Sequence, residues 1–364
     1  METPLVSVVM SVFNGERFLR EAVESILNQS FRDFEFVIID DGSKDASASI
    51  LGEYERCDPR VRVYHQQNRG LVESLIRGCA LAQGKYIARM DADDVAVRDR
   101  LMWQVEFMES NPGVGILGGL VEFIDAAGSR GHPVRYPLRD AEIQQALLLR
   151  RPSFCHPALV LRKEVLVSVG GYRKLFVEAA EDYDLWLRLA EQCELANLGT
   201  VILSYRIHPN QLTHLDLDRR VVCGLAAQAA ASLRRKGMPD PLNSVKEITP
   251  AVLGGLGITE EALERAILRA YRARIVMALQ LRLDLPILPL VSQMLAKLAE
   301  SKHVQPSVAA GVWGAAARAY LSRGKVLKAV AAAARAFLVH PALPIDIGRR
   351  EYRRLLRWAG RRAR

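Results

Sequence analysis

The stretch KYIARMDADDVAVRDRL, residues 85–101, passes from an apolar run into four carboxylates, Asp91, Asp93, Asp94 and Asp99, within nine residues. Carboxylates gathered after a segment that reads as a buried strand are costly unless a cation shares the site. Side chains alternate faces along a strand, so Asp91 and Asp93 are expected to point one way and Asp94 aside. Two oxygen donors on one side suit Mg2+ or Mn2+, which complete their shells with water and substrate phosphate. Taken alone, a D-x-D is more often a solvated acidic loop.

A second acidic pair, Asp40 and Asp41, closes the run FVIID in FVIIDDGSKDAS. A carboxylate there can accept a hydrogen bond from a base N–H, and Gly42 permits the tight turn. The same residues also make an ordinary strand-to-helix turn capped by Ser43 or Asp45. A third group, Glu181 and Asp182 in AAEDYDLWLRL, opens a helical pattern. Acidic residues in a first turn favour the helix dipole in any protein, and Glu181 and Asp184 push the pKa of Asp182 the opposite way. His156 in FCHPALVLR and His208 in YRIHPN each follow or precede a strand, where a structural histidine is the ordinary reading.

These residues need a scaffold that brings them together. Strand patterns at 5–12, 34–40, 61–66 and 85–90 alternate with helical patterns at 16–29, 45–56 and 71–84. That βαβαβαβ order predicts a doubly wound, mostly parallel sheet whose strand ends share one edge, where such sheets bind ligands. Strand patterns resume at 114–124, 156–162 and 196–207, with a helix over 179–193 between the last two. From about residue 216 the pattern is mainly helical. Two domains are therefore expected, residues 1–215 and 216–364.

Composition divides the same way. Residues 1–215 carry 24 Lys and Arg against 30 Asp and Glu, whereas residues 216–364 carry 26 against 11, so the halves are expected to have different partners. Cys57, Cys79, Cys155, Cys193 and Cys223 contain no C-x-x-C pair, which disfavours a zinc site or disulfide framework. The N-terminal residues lack a signal-peptide pattern, and no run of about 18 apolar residues is long enough to span a bilayer. A cytoplasmic protein is expected.

The run VSVVMSVFNGERFLREAVESILNQSFRDFEFVIIDDGSKDAS, followed by QNRGL, ARMDADD, EDYDLWLRL and YRIHPN, resembles the family 2 inverting glycosyltransferases of GT-A fold over residues 5–210. The resemblance implies a nucleotide-sugar donor, UDP-linked as the first expectation. It implies that Asp41 reads the nucleobase beside Ser11 and Phe13, and that Asp93 binds the metal with Asp91 nearer the ribose or metal waters. It implies Asp182 as catalytic base, His208 near diphosphate and metal, and Glu181 and His156 on the acceptor side. One departure stands out. Many relatives carry Asn where this chain has Ile76; if that Asn contacts donor phosphate or ribose, Ile76 loses the hydrogen bond.

A sugar-phosphate nucleotidylyltransferase is the rival enzyme class, yet SVFNGERF lacks the expected Gly-rich, basic loop. A dinucleotide oxidoreductase lacks its G-x-G-x-x-G, and a non-catalytic scaffold does not account for the acidic motifs. In the basic half, WGAAARAYLSRGKVLKAVAAAARAFLVHP resembles one tetratricopeptide unit and predicts a helical hairpin near 308–341. Residues 349–364 hold eight arginines around Leu355, Leu356 and Trp358, an amphipathic pattern suited to the anionic inner face of a cell membrane rather than to nucleic acid. The expected acceptor is a glycan or a lipid-linked sugar.

Overall fold

In a computed structural model, the described residues are 3–177, 179–208, 216–280 and 287–340; the tail 349–364 lies outside them. The chain forms two compact units. The first comprises residues 1–207 and 223–252, the second residues 208–222 and 253–364.

The first unit is built on one mixed sheet. Strands β1 (Val6–Val12), β2 (Phe34–Asp40), β3 (Val61–His65) and β4 (Tyr86–Asp91) alternate with helices α1 (Glu16–Leu27), α2 (Ser47–Cys57) and α3 (Leu71–Leu81). After a two-residue strand β5 (Val95–Ala96) come α4 (Arg100–Ser110), β6 (Val114–Ile124), β7 (Arg130–Val134) and α5 (Asp140–Leu148). Then follow β8 (Val160–Arg162), α6 (Lys163–Ser168), α7 (Glu181–Leu189) and β9 (Glu194–Arg206). The spatial order is β3-β2-β1-β4-β8-β6-β9-β5, with β7 paired to β6. The first four strands are mutually parallel; β8 runs against both β4 and β6, so β6 and β9 return to the direction of β4. This is the doubly wound, mostly parallel sheet that the alternating pattern predicts.

Every residue of β2 is buried, which is why FEFVIID reads as one apolar run. Helix α1 covers the sheet with Leu19, Ala22, Val23 and Ile26, spaced for one face. Two segments escape the pattern. Helix α4 buries Arg100 and Gln104 beside Leu101, Val105 and Met108, so its hydrophobic period is broken by polar core residues. Residues 156–162 are not a full strand: Pro157 has no N–H for a ladder, and His156–Ala158 form a 3-10 turn closed by Ala158 N–H to the Cys155 carbonyl, 3.0 Å.

Helix α8 (Leu217–Arg234) contributes its later turns to the stretch 223–252 of the first unit, and α9 (Pro250–Gly255) begins at the end of that stretch and runs into the second unit. Within the first unit Arg234 pairs with Glu191 and Asp240, each at 2.8 Å. The second unit packs α10 (Glu260–Gln280), α11 (Ile287–Glu300), α12 (Pro306–Ser322) and α13 (Val326–Val339) around Leu268, Ile275, Val291, Met294 and Val312, with alanines filling the closest approaches.

The antiparallel strand β8 is fixed by its last residue. Buried Arg162 donates to the carbonyls of Val114 (2.9 Å), Met108 (2.5 Å) and Asn111 (3.2 Å) and to the Tyr86 hydroxyl (3.0 Å). It joins β4, β6 and the C-terminal end of α4, where a cation suits the free carbonyls. Replacing Arg162 with Met strands these acceptors and is expected to lower unfolding free energy by about 3 kcal/mol; urea denaturation with an unchanged m-value checks it.

Candidate active site

The parallel register sets the first half of the site. Ser11 lies opposite Ile39 on one side and Asp91 on the other, so the ends of β2, β1 and β4 stand side by side. The amide of Asp41 donates to the Val12 carbonyl at 2.8 Å. Its buried carboxylate accepts from Gln66 Nε2 (2.7 Å) and from the amides of Arg69 (2.9 Å) and Gly70 (2.8 Å). Asp41 thus clamps the loop QNRG to the end of β2 while keeping lone pairs for a further donor. Gly42 is required here: its φ is +77°, and a Cβ would stand 2.8 Å from the Asn68 amide nitrogen. Phe13 is exposed beside this edge, and Ser11 is half-buried.

Strand β4 ends at Asp91, and the chain then turns. Strand alternation therefore stops, and Asp94 is not set aside as the sequence suggests. One oxygen from each of Asp91, Asp93 and Asp94 lies within 4.8 Å of the others. The sequence reading also missed the cations beneath them. Arg89, two residues back on the same strand face, is buried and ion-paired with Asp91. Arg206, buried at the end of β9, donates its amide to Asp94 Oδ1 (2.8 Å) and its Nε to the Asp93 carbonyl (2.8 Å), with its guanidinium over the Phe18 ring at 4.6 Å.

Asp94 is fully buried, and its Oδ2 has no hydrogen-bond partner. Burial, then the charges of Asp93 and Asp91, push its carboxyl well above the usual carboxylate range. Burial also raises Asp91, against the pull of Arg89. An all-oxygen set with one orphaned buried oxygen fits a hard divalent cation.

The opposing group sits at the start of α7. Ala180, just before it, takes a left-handed φ of +63°, a strained setting for a side-chain-bearing residue. Asp184 turns inward to Arg173 and to Arg188 (2.9 and 2.8 Å), which anchors the helix. Glu181 and Asp182 are left at the opening turn with His156; one ligand atom from each lies within 4.8 Å of the other two. His156 Nε2 is 2.6 Å from the Tyr172 hydroxyl, and its Nδ1 is 3.9 Å from Glu181 Oε1. Burial, reinforced by Arg89, holds the His156 pKa well below its ordinary value, so the ring is neutral at pH 7.

The two groups lie within electrostatic reach of each other. Beyond burial, the charge of Asp182 helps raise Asp91, and beyond burial the charges of Glu181 and Asp182 help raise Tyr172. The structure thus brings together Asp91, Asp93, Asp182, Glu181 and His156 and sets Ser11 and Asp41 at the adjoining strand ends. Neither cluster contains His208, which opens the second unit. Ile76 is half-buried on α3. Arg89 alone had a signal in sequence, its two-residue spacing from Asp91; the partners from β9 and from residue 172 had none.

Residues 7–170 match the family described as Glycosyl transferase family 2. The O-antigen biosynthesis glycosyltransferase WbnJ of Escherichia coli is 33% identical over 208 residues, covering 56% of this chain and 80% of WbnJ. The chain belongs to glycosyl transferase family 2. Among solved structures, Staphylococcus aureus TarS 1-349 in complex with UDP-GlcNAc aligns over 90% of each chain with a TM-score of 0.53 at 15% identity. The mannosyltransferase PcManGT of Pyrobaculum calidifontis, in complex with GDP-Man and Mn2+, covers 93% of this chain and 88% of its own at a TM-score of 0.51 and 18% identity. At such identities the likeness establishes the fold, which is GT-A-like.

The raised carboxyls carry a sign. A carboxyl whose folded pKa exceeds its unfolded value stabilises the fold while protonated, and that stability is lost as pH rises from the unfolded value through the folded one. In chelator, stability is therefore expected to fall as pH rises above about 4. Millimolar Mn2+ should restore it at pH 7.5 and do less at pH 5. Asp94→Asn should raise the melting temperature in chelator and abolish the Mn2+ increment; thermal shift at both pH values checks this.

Proposed function

We propose that this glycosyltransferase transfers a sugar from a nucleotide-diphosphate donor to a glycan or lipid-linked acceptor by a single inverting displacement, in cell-surface polysaccharide or glycolipid synthesis. The observation that carries the reading is the placing of two clusters within electrostatic reach of each other: an acidic set suited to a cation, Asp91, Asp93 and Asp94, and a carboxylate suited to a proton, Asp182.

Asp93 and Asp94 would hold Mg2+ or Mn2+, with Asp91 steadied by Arg89 on the side of the donor's ribose. When bound, the ion neutralises charge that develops on the departing diphosphate. Asp41, with Ser11 and Phe13, would receive the nucleobase at the ends of β1 and β2. Asp182 accepts the proton of the acceptor hydroxyl as its oxygen bonds to the anomeric carbon. The carbon–oxygen bond to the nucleoside diphosphate breaks with its electron pair, and the configuration inverts. Neutral His156, held by Tyr172, lies against Glu181 and orients the acceptor side without adding charge.

Three similarities support the donor and acceptor classes: a relative named for O-antigen biosynthesis, a neighbour holding UDP-GlcNAc, and another holding GDP-Man with Mn2+. UDP-sugars are the first donors to try. The arginine-rich residues 349–364 would favour the anionic inner face of the membrane.

Asp182→Asn is expected to lower kcat for transfer by about a hundredfold or more while nucleotide affinity holds within about twofold. Radiolabelled-sugar transfer alongside calorimetry with nucleoside diphosphate and Mn2+ checks it. Undiminished turnover would remove Asp182 as the base.

A further inference from the structure

Helix α13 is apolar on both sides. Ala329, Ala332 and Ala336 are buried against the rest of the second unit. The opposite face carries Leu327, Val330, Ala331, Ala334 and Leu338, all exposed, with Leu327 at 88% and Leu338 at 78%. At 3.6 residues per turn these five fall in one stripe about 100° wide. A helix with two opposite apolar faces needs both of them covered, so this stripe calls for cover.

The edge of the stripe is basic. Lys328 and Arg335 lie two turns apart on one flank and reach over Tyr320 (5.8 Å) and Trp313 (4.8 Å). Both line a groove of about 670 Å³ between α11, α12 and α13, whose walls include Leu295 and Leu298. From residue 301 to residue 345 the chain holds six Lys and Arg and no Asp or Glu.

We propose that α13 lies in the plane of an anionic lipid surface, with Leu327, Val330 and Leu338 among the acyl chains and Lys328 and Arg335 at the headgroup phosphates. Charge selects this occupant. A second copy of the chain would bring like charges together, and the stripe extends only about 16 Å along the axis, too little for the ~800 Å² per partner of a stable dimer. A fluid surface also needs no shape complementarity, and the stripe offers little, with small alanines between its end leucines. The helix rests on the surface rather than crossing it: 14 residues reach about 21 Å against a hydrocarbon core of ~30 Å. Among the described residues no helix is long and apolar enough to cross. The contact uses no part of the sugar-transfer site and stands or falls separately from it.

The test is flotation of the full-length protein with vesicles of phosphatidylcholine, alone or with about one-third phosphatidylglycerol. Binding is expected to the anionic vesicles only and to weaken in high salt. The variant L327Q/L338Q should bind at least about tenfold more weakly, and K328Q/R335Q on the order of thirtyfold more weakly. Both replace exposed side chains, so circular dichroism and donor turnover should match the parent. Equal flotation of L327Q/L338Q and the parent would overturn the proposal in favour of residues 349–364. So would a concentration-dependent dimer that this variant makes monomeric, or an absence of flotation with any vesicle, which would point to a protein partner.

Discussion

The site depends on gathering three carboxylates at the end of one strand, Asp94 fully buried and Asp91 and Asp93 half-buried beside it. Each buried charge of this type costs several kcal/mol unless it is compensated. Three buried arginines surround the turn: Arg89 ion-pairs with Asp91, Arg206 binds the Asp93 carbonyl and its amide holds Asp94, and Arg100 donates to the Arg89 carbonyl at 2.8 Å. Burial depresses Arg100 to about 10, so it remains a cation at neutral pH. This compensation is partial. Asp94 keeps an unpaired oxygen and a raised pKa, which leaves the turn ready for one more positive charge.

Two acids of α7 have different surroundings. Asp182 and Asp184 are two residues apart in EDYD and so point to different sides of the helix. Asp184 meets Arg173 and Arg188, and Arg173 continues to Asp240 at 2.8 Å, so this acid serves the fold. Asp182 stays with Glu181 and His156 at the opening turn. Ion pairing of Asp184 with two arginines lets a single motif supply an anchor while Asp182, proposed as the base, stays beside Glu181 and His156.

The two units divide the chemistry by charge. The sheet unit concentrates carboxylates at its strand ends, where we propose a cation-bound diphosphate; the helical unit presents cations beside apolar surface, where we propose anionic lipid. An acceptor carried on a lipid would give both units work at one membrane.

Sequence alone determined most of the sheet. Runs such as FEFVIID and VGILGGLVEFI are strands because burial on both faces demands continuous apolar residues, and DDGS and DADD fall at the ends of β2 and β4 because turns need polar, permissive residues. It also named the family through motif order. It did not reveal α4, whose buried Arg100 and Gln104 disguise the helical period, nor the shortening of β8 by Pro157. Tertiary structure alone decided that Asp94 joins Asp91 and Asp93, that Asp41 holds the QNRG loop, and that Arg206 supports a turn more than a hundred residues away. Local pattern records which way a side chain leaves its own strand or helix. Which charge comes to meet it depends on segments far apart in the chain, and only the packed sheet brings those together.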